Sequence, residues 1–193
     1  MPTIGRTTTE RLLGFNQRML DQALAVVGEH AAPSAPSFAG PVGAHLRHVI
    51  EHYEALVHGL HSGVVDYDRR PRDRQLEASP ALARDRLTGL RRMLGVWTPD
   101  MLDRPVQVLG QGGTAGEFDF SVASSAGREL AFLASHAVHH FALLAVHLQR
   151  HGIPMPAHFG KAPGTVAHEI ASRPATAQSD TQEFSCRSPS LSA

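Results

Sequence analysis

The sequence predicts an all-α fold: an antiparallel four-helix bundle with a short β-hairpin between the third and fourth helices. Four segments carry apolar residues at helical spacing, and loops of roughly ten to thirty residues separate them. Helices joined in this way pack as bundles whose ligand sites lie between facing helices. The hairpin is predicted by Val106–Leu109 and Phe118–Val122, which alternate apolar and polar residues on either side of the glycine-rich GQGGTAGE.

The first two helices have clear boundaries. Thr7 and Glu10 have the spacing of a capping box, which predicts a helix from there to about Glu29. Residues 31–41 are rich in proline, alanine, serine and glycine, and such a segment cannot continue a helix. Helical spacing of apolar residues then predicts the second helix over Val42–His61.

The second half of the predicted bundle follows a charged segment, residues 62–77, which we expect to be an ordered loop with paired Asp and Arg side chains. Ser79 followed by Pro80 marks the start of the third helix, which is expected to end near Thr98. The fourth helix is expected to follow Ser124 and Ser125 and to stop at Gly152, with a proline just beyond.

One domain, residues 1–173, is expected from the length of the chain. Residues 153–172 hold too many prolines and glycines for a core element, although the stretch that starts at Phe159 is a candidate to fold back toward the bundle. The tail, residues 174–193, is rich in Ser, Thr, Ala and Gln, which predicts disorder.

Composition excludes several function classes. Eighteen basic and eighteen acidic residues give a formal net charge of zero, so no overall field attracts nucleic acid or an anionic membrane. The sequence shows neither a signal-peptide pattern nor an apolar run long enough to span a bilayer, which predicts a cytoplasmic location. Cys186 is the single cysteine, so metal chemistry would have to use His, Asp or Glu.

Histidines are the candidate metal ligands. The chain has 13 of them, and His136 and His140 lie four residues apart on the fourth helix, so both imidazoles project from one face about one turn apart. The alternative is a pair of solvated histidines beside the core. A third ligand is expected from the second helix, where His45, His48 and His52 lie within about 60° of one another on a helical wheel. Geometry alone does not choose among these three.

The stretches HLRHVIEH and SHAVHH carry a family resemblance. Three features resemble the DinB/YfiT superfamily of metal-binding four-helix bundles. They are the order of the helices, the His-x-x-His-His pattern on helix four, and on helix two a His followed by an apolar residue and, three positions after the His, an acidic one, as in His48, Val49 and Glu51. The resemblance covers about residues 8–165 and implies that His48, His136 and His140 bind one divalent metal ion, with Zn, Ni and Fe as candidates. Phe141-Ala142-Leu143 replaces the Arg-Gly-Gln that many members have there.

The resemblance also implies a function. Characterised members include transferases that use small thiols, so the expected activity is a metal-dependent S-transferase with a low-molecular-weight thiol as cosubstrate and an electrophile as substrate. A non-catalytic metal-binding or stress-response protein and a metal-dependent hydrolase are the alternatives. Glu51 is the candidate catalytic residue, as a proton acceptor or as an orienting partner of a ligand; otherwise it is an exposed residue paired with Arg47.

The expected partner is a small-molecule substrate, without nucleic acid or membrane, and a homodimer is compatible with the sequence. Candidate residues of the substrate pocket are the remaining histidines near the predicted ligands: His45, His52, His139 and His147. His147 lies roughly 10 Å along the helix axis from His140, too far to share one ion with it.

Overall fold

The computed structural model describes residues 7–31 and 34–172. In these ranges the chain forms seven helices and three strands and is mostly helical, as predicted. The helices are α1 (Thr8–Glu29), α2 (Pro41–Ser62), α3 (Arg74–Ala78), α4 (Pro80–Gly95), α5 (Pro99–Leu102), α6 (Ala126–Arg150) and α7 (Pro163–Ala171). The strands are β1 (Val64–Asp66), β2 (Pro105–Gly112) and β3 (Phe118–Ser125).

Side-chain caps start three of the long helices where the sequence predicts. In the capping box of α1, the Thr7 hydroxyl accepts from the Glu10 amide at 3.2 Å, and the Glu10 carboxylate accepts from the Thr7 amide at 2.7 Å. Ser79 caps α4 by accepting from the amide of Leu82, and Ser125 caps α6 in the same way. These caps satisfy amides that have no partner within the helix.

The four long helices enclose the core. α1 packs against α4 and α6, and α2 packs against α6 and α4. Because each helix carries its apolar residues on one face, these faces meet in the interior. The largest fully buried side chains are Tyr53, Phe141, Leu20, Leu46, Ile50, Leu56, Leu76, Leu87, Leu90, Leu94, Leu130 and Leu133.

The predicted hairpin is confirmed and is part of a small sheet in the order β1-β2-β3. β2 and β3 are antiparallel, with Val108 opposite Val122, whereas β1 pairs with β2 in parallel. At two positions, the absence of a side chain on glycine lets a neighbouring residue pack directly against the backbone. A Cβ added to Gly110 would lie 2.5 Å from the ring of Phe120, and one added to Gly59 of α2 would lie 2.6 Å from the carbonyl oxygen of Val64.

The charged segment 62–77 was predicted as a loop, and this was wrong for β1 and α3. β1 has only three residues, too few to show a strand period. α3 begins where the Asp73 carboxylate accepts from the amides of Gln75 and Leu76. The third long helix ends at Gly95 rather than near Thr98, and the short α5 follows it.

Contacts divide the chain into two compact units, Met1–Lys161 and Ala162–Ala193. In the first unit, Phe159 is buried and its ring stacks on Phe141 with centroids 4.8 Å apart. The described part of the second unit contains α7, none of whose residues is buried. The sequence did not predict this helix. The predicted tail, residues 174–193, lies outside the described residues.

Among the described helices, α6 alone is long and apolar enough to cross a membrane by length and composition. The core helix of a soluble protein passes the same test. Within the first unit, α6 contributes Leu130, Leu133 and Phe141 to the core. Its apolar composition therefore matches its place against α1 and α2.

Candidate metal centre

Two neighbouring helices carry the predicted ligands. His48 lies near the middle of α2, and His136 and His140 lie one turn apart on α6. α2 and α6 pack against each other along the interior. All three rings are partly buried, so they border the core without being sealed into it.

The structure brings these three side chains together. One ring nitrogen from each of His48, His136 and His140 can be chosen so that all three lie within 4.8 Å of one another. Nε2 of His136 lies 2.9 Å from Nε2 of His48. The ring centroids are 4.5 Å apart for His48 and His140, and 4.6 Å apart for His136 and His140.

Burial lowers the pKa of each of these imidazoles. Loss of solvent is the largest cause for all three, and the neighbouring histidines and the Arg70 guanidinium lower the pKa further. The pKa of His136 and that of His140 fall from 6.5 to about 4, and that of His48 falls to about 2. The rings are therefore neutral at pH 7, which is the form that binds a metal ion.

Arg70 is a close neighbour that the sequence did not predict. Its Nη1 lies 2.9 Å from Nδ1 of His48, and its Nε donates to the carbonyl oxygen of Tyr67. Its side chain is only 9% exposed, and Nη1 lies 3.7 Å from the carboxylate of Glu51. Proximity to the ligands could not be read from the sequence, because Arg70 belongs to the loop between β1 and α3.

His52 packs beside the three ligand candidates. Its ring centroid lies 4.1 Å from that of His48 and 4.4 Å from that of His136. Its Nδ1 lies 2.7 Å from the carbonyl oxygen of His48, so this nitrogen carries a proton and donates it. On its other side, the ring stacks on Tyr67 at 5.4 Å. His52 therefore forms part of the wall around the cluster.

His45 contacts the cluster from the opposite end. Nδ1 of His45 and Nδ1 of His140 share a hydrogen bond of 2.8 Å. A bond through Nδ1 of His140 leaves its Nε2 free to face another group. His45 is half-buried and, like His52, was predicted as a pocket residue.

The other two predicted pocket histidines lie apart from the cluster or at its edge. His139 is exposed, and its ring centroid lies 5.4 Å from that of His140. His147 faces His151, with centroids 4.3 Å apart. The structure thus brings His45 and His52 to the ligand candidates and leaves His147 outside.

Glu51, the candidate catalytic residue, is buried and accepts hydrogen bonds from residues other than the histidines. It is 1% exposed, and its carboxylate accepts from Arg47 at 3.1 Å and from the amide of Asp73 at 2.8 Å. Among the described residues, its hydrogen bonds thus tie α2 to the segment before α3 and none reaches a histidine ring. The expected pairing with Arg47 is present, but the residue is buried rather than exposed.

A glutamate on α6 anchors the loop on the other side of the cluster. The carboxylate of Glu129 is buried and accepts from the hydroxyls of Tyr67 at 2.9 Å and Ser124 at 2.6 Å. Tyr67 also contacts the ring of Phe132, which stacks on His136 at 5.5 Å. These contacts hold Tyr67, and with it the start of the loop, against α6.

The chain is similar to a known protein over about half of its length. The chain is 30% identical over 105 residues to FK506-binding protein 5 of Rhizopus delemar, a match that covers 54% of this chain and 27% of the relative. The matched part thus spans about a quarter of the length of that protein. No family model matches the chain. No solved structure matches it either.

This likeness corrects the predicted function. The expected activity was a small-thiol-dependent S-transferase of the DinB-like type, whereas the relative is named for binding FK506. The prediction of an S-transferase was therefore wrong. It depended on a short histidine motif, and a motif that places metal ligands carries little information about a reaction.

Proposed function

We propose that the protein binds one divalent transition-metal ion through His48, His136 and His140. The observation that carries this proposal is the convergence of three imidazole nitrogens within 4.8 Å. His48 is separated in sequence from the other two by 88 residues or more. Only the packing of α2 against α6 therefore brings the donors into reach of a common ion.

The distances suit a small metal ion. Zn–N bonds are about 2.0–2.1 Å, so two nitrogens on a tetrahedral zinc ion lie roughly 3.3 Å apart. The nitrogens of His48 and His136 are 2.9 Å apart, and the whole set lies within 4.8 Å. Side-chain shifts of about an ångström would bring these three nitrogens to the spacing required around a tetrahedral zinc ion.

Three imidazoles also restrict the choice of metal. Imidazole suits Zn, Ni, Fe and Cu, whereas Mg and Ca prefer oxygen ligands. Three protein ligands leave at least one coordination position, and a bound metal there would act as a Lewis acid toward water or a small ligand. Zn, Ni and Fe remain the candidates, and the likeness to the DinB/YfiT superfamily remains part of this proposal.

Metal analysis tests the proposal. The purified protein is stripped with a chelator, dialysed separately against Zn²⁺, Ni²⁺ and Fe²⁺, and its metal content is measured by mass spectrometry. We expect about one equivalent of at least one of these metals in the wild type, and a large loss in His140→Ala. Equal metal contents in the wild type and in His140→Ala would contradict the site.

A second candidate function follows from the likeness to FK506-binding protein 5. That likeness supports a peptidyl-prolyl isomerase-type function, with FK506 as a ligand. A protease-coupled assay on a proline-containing peptide, with and without FK506, tests it. Acceleration that FK506 inhibits would support this function, and a rate equal to that without protein would refute it.

We also propose that α1, α2, α4 and α6 form an antiparallel four-helix bundle. Their mutual packing supports this arrangement, because each of these helices contacts two of the others. A cytoplasmic location, a small-molecule ligand and a homodimer complete the proposal. Size-exclusion chromatography with light scattering distinguishes a dimer from a monomer.

A further inference from the structure

The hydrogen bonds around His48 have only one consistent direction. A guanidinium can donate but cannot accept, so Nη1 of Arg70 donates to Nδ1 of His48 across 2.9 Å. A neutral imidazole has one N–H, and with Nδ1 accepting, that proton must be on Nε2. Nε2 of His48 then donates to Nε2 of His136 across 2.9 Å.

This direction places His48 in the tautomer that cannot bind a metal through Nε2, the nitrogen that faces His136. A ligand imidazole offers a lone pair to the ion and carries its proton on the other nitrogen. His136 already offers a lone pair at Nε2, the nitrogen that faces His48. His48, in contrast, carries a proton on the nitrogen that would have to bind.

We infer that Arg70 acts as a latch, meaning that its hydrogen bond to Nδ1 of His48 opposes metal binding through Nε2 of His48. This inference rests on the proposed metal site. For Nε2 of His48 to offer its lone pair, the proton must leave Nε2 and appear on Nδ1, with no net change in the number of protons. A protonated Nδ1 would face the N–H of Arg70 as a second donor, so the two groups would no longer form a hydrogen bond.

The structure contains an alternative partner for Arg70. The carboxylate of Glu51 lies 3.7 Å from Nη1, less than 1 Å beyond ordinary hydrogen-bond reach. Nε of Arg70 is held by the carbonyl oxygen of Tyr67, so a small rotation about this anchor would move Nη1 from His48 to Glu51. Glu51 thereby acquires a role as the acceptor that receives the released guanidinium.

The positive charge of Arg70 also opposes metal binding. The guanidinium is permanently charged, and its contact with the ring of His48 places a positive charge beside the position proposed for a divalent cation. Repulsion between the two cations therefore adds to the cost of the lost hydrogen bond. Movement of Nη1 toward the carboxylate of Glu51 reduces this repulsion.

The test compares two neighbouring arginines. Arg70→Met removes the latch, and Arg69→Met is the matched control, because Arg69 is 90% exposed and pairs only weakly, at 3.8 Å, with Asp66. Zn²⁺ affinity is measured by competition with a chromophoric chelator, and thermal unfolding verifies that each variant is folded. We expect Arg70→Met to bind Zn²⁺ about tenfold more tightly or better, and Arg69→Met to match the wild type.

A second measurement does not need the variant. Long-range ¹H–¹⁵N NMR of the wild type reports which nitrogen of His48 carries the proton. We expect Nε2–H without metal and Nδ1–H after one equivalent of Zn²⁺. Nδ1–H in the metal-free protein would overturn the latch.

The outcomes separate the latch from the metal site. Equal or weaker Zn²⁺ binding by folded Arg70→Met, with normal binding by the wild type, would overturn the latch alone. Binding by Arg70→Met without binding by the wild type would support the latch and show that it keeps the native cluster closed. Absence of binding in both proteins would overturn both proposals.

Discussion

At the residue scale, the site differs from an ordinary group of surface histidines because burial, the Arg70 guanidinium and the neighbouring histidines disfavour protonation of each ring. His48 is beside Arg70, and His140 is beside His45 and His136. None of these neighbours offers a carboxylate to a ring of the cluster. The rings therefore remain neutral donors well below the pH at which a free histidine takes up a proton.

This environment makes folding stability depend on pH. The pKa values of His52, His136 and His140 in the folded protein are about 4, below the value of 6.5 expected for the unfolded chain. As pH falls below 6.5, the unfolded state takes up protons first, so the stability of the metal-free protein falls between pH 6.5 and pH 4. Because the rings are partly exposed, we discount the shifts and expect a loss of roughly 2–4 kcal/mol between pH 7 and pH 5.

Urea unfolding of the metal-free protein at pH 7 and pH 5 measures this loss. The double variant His48→Asn, His136→Asn serves as the comparison, because it lacks two of the groups with depressed pKa values. Its loss should be clearly smaller than that of the wild type. An equal pH dependence in the two proteins would show that the cluster does not cause it.

A buried polar pair in the core gives a second prediction at this scale. The hydroxyl of Tyr53 on α2 donates to the side-chain oxygen of Asn16 on α1 at 2.7 Å, and both residues are almost fully buried. Tyr53→Phe leaves the Asn16 oxygen without this donor and should lower the free energy of unfolding by about 1–3 kcal/mol. Adding Asn16→Leu to Tyr53→Phe should recover part of this loss, and a further large loss would argue against the pair.

Some neighbours within the histidine cluster could be predicted from the sequence, and others could not for a physical reason. Helical spacing placed His136 and His140 on one face, and they lie there together. Helical spacing could not distinguish among His45, His48 and His52, because the distance of each from α6 depends on how α2 packs against α6. Arg70 was missed because its contact with His48 depends on the path of a loop.

At the element scale, close backbone approaches fix where α2 lies. A Cβ added to Gly43 of α2 would lie 1.9 Å from the carbonyl oxygen of Glu77, at the end of α3. Backbone atoms cannot move aside as a flexible side chain can, so Gly43→Ala should cost about 1–3 kcal/mol or more of stability. α2 carries His48, so the approach also positions the site.

Gly89→Ala is the matched control for this prediction. Gly89 lies within α4, and a Cβ added there meets nothing within 4 Å. Alanine is a better helix former than glycine, so this substitution should raise stability by about 0.5–1 kcal/mol. Chemical denaturation of both variants gives the comparison, and a similar effect of the two substitutions would be inconsistent with the packing of α2 against α3.

The helices and strands long enough to show a clear periodicity of apolar residues were predicted well. The long helices and the β2–β3 hairpin have enough residues to show a period of 3.6 or 2, and each was found close to its expected range. β1, α3 and α5 have three to five residues each, so they show no period of their own. Their formation depends on neighbours, such as the pairing of β1 with β2.

At the scale of the whole molecule, the candidate site belongs entirely to one compact unit. His48, His136 and His140 lie within Met1–Lys161, and Ala162–Ala193 forms a second unit. Removal of residues 162–193 should therefore leave the melting temperature and the metal stoichiometry of the first unit nearly unchanged. Calorimetry and metal analysis of the shortened chain measure both, and loss of cooperative unfolding would show that the units depend on each other.

Function was the least predictable property from the sequence. The histidine spacing carries information about ligands, because chelation needs particular atoms at particular distances. The reaction depends on which molecules reach the site, and the S-transferase expected from resemblance did not agree with the likeness to an FK506-binding protein. Metal binding is therefore the function that we propose for this site, without a particular reaction.

A calorimetric titration of the metal-free protein with Zn²⁺ at pH 7 tests the metal site most directly. The wild type should bind one equivalent, and His48→Ala, His136→Ala and His140→Ala should each weaken binding by more than the roughly tenfold to hundredfold that loss of an outer partner costs. His147→Ala should bind as the wild type does, because its ring faces His151 rather than the cluster. No binding by either the folded wild type or folded Arg70→Met would contradict the site, and so would wild-type affinity in all three of His48→Ala, His136→Ala and His140→Ala.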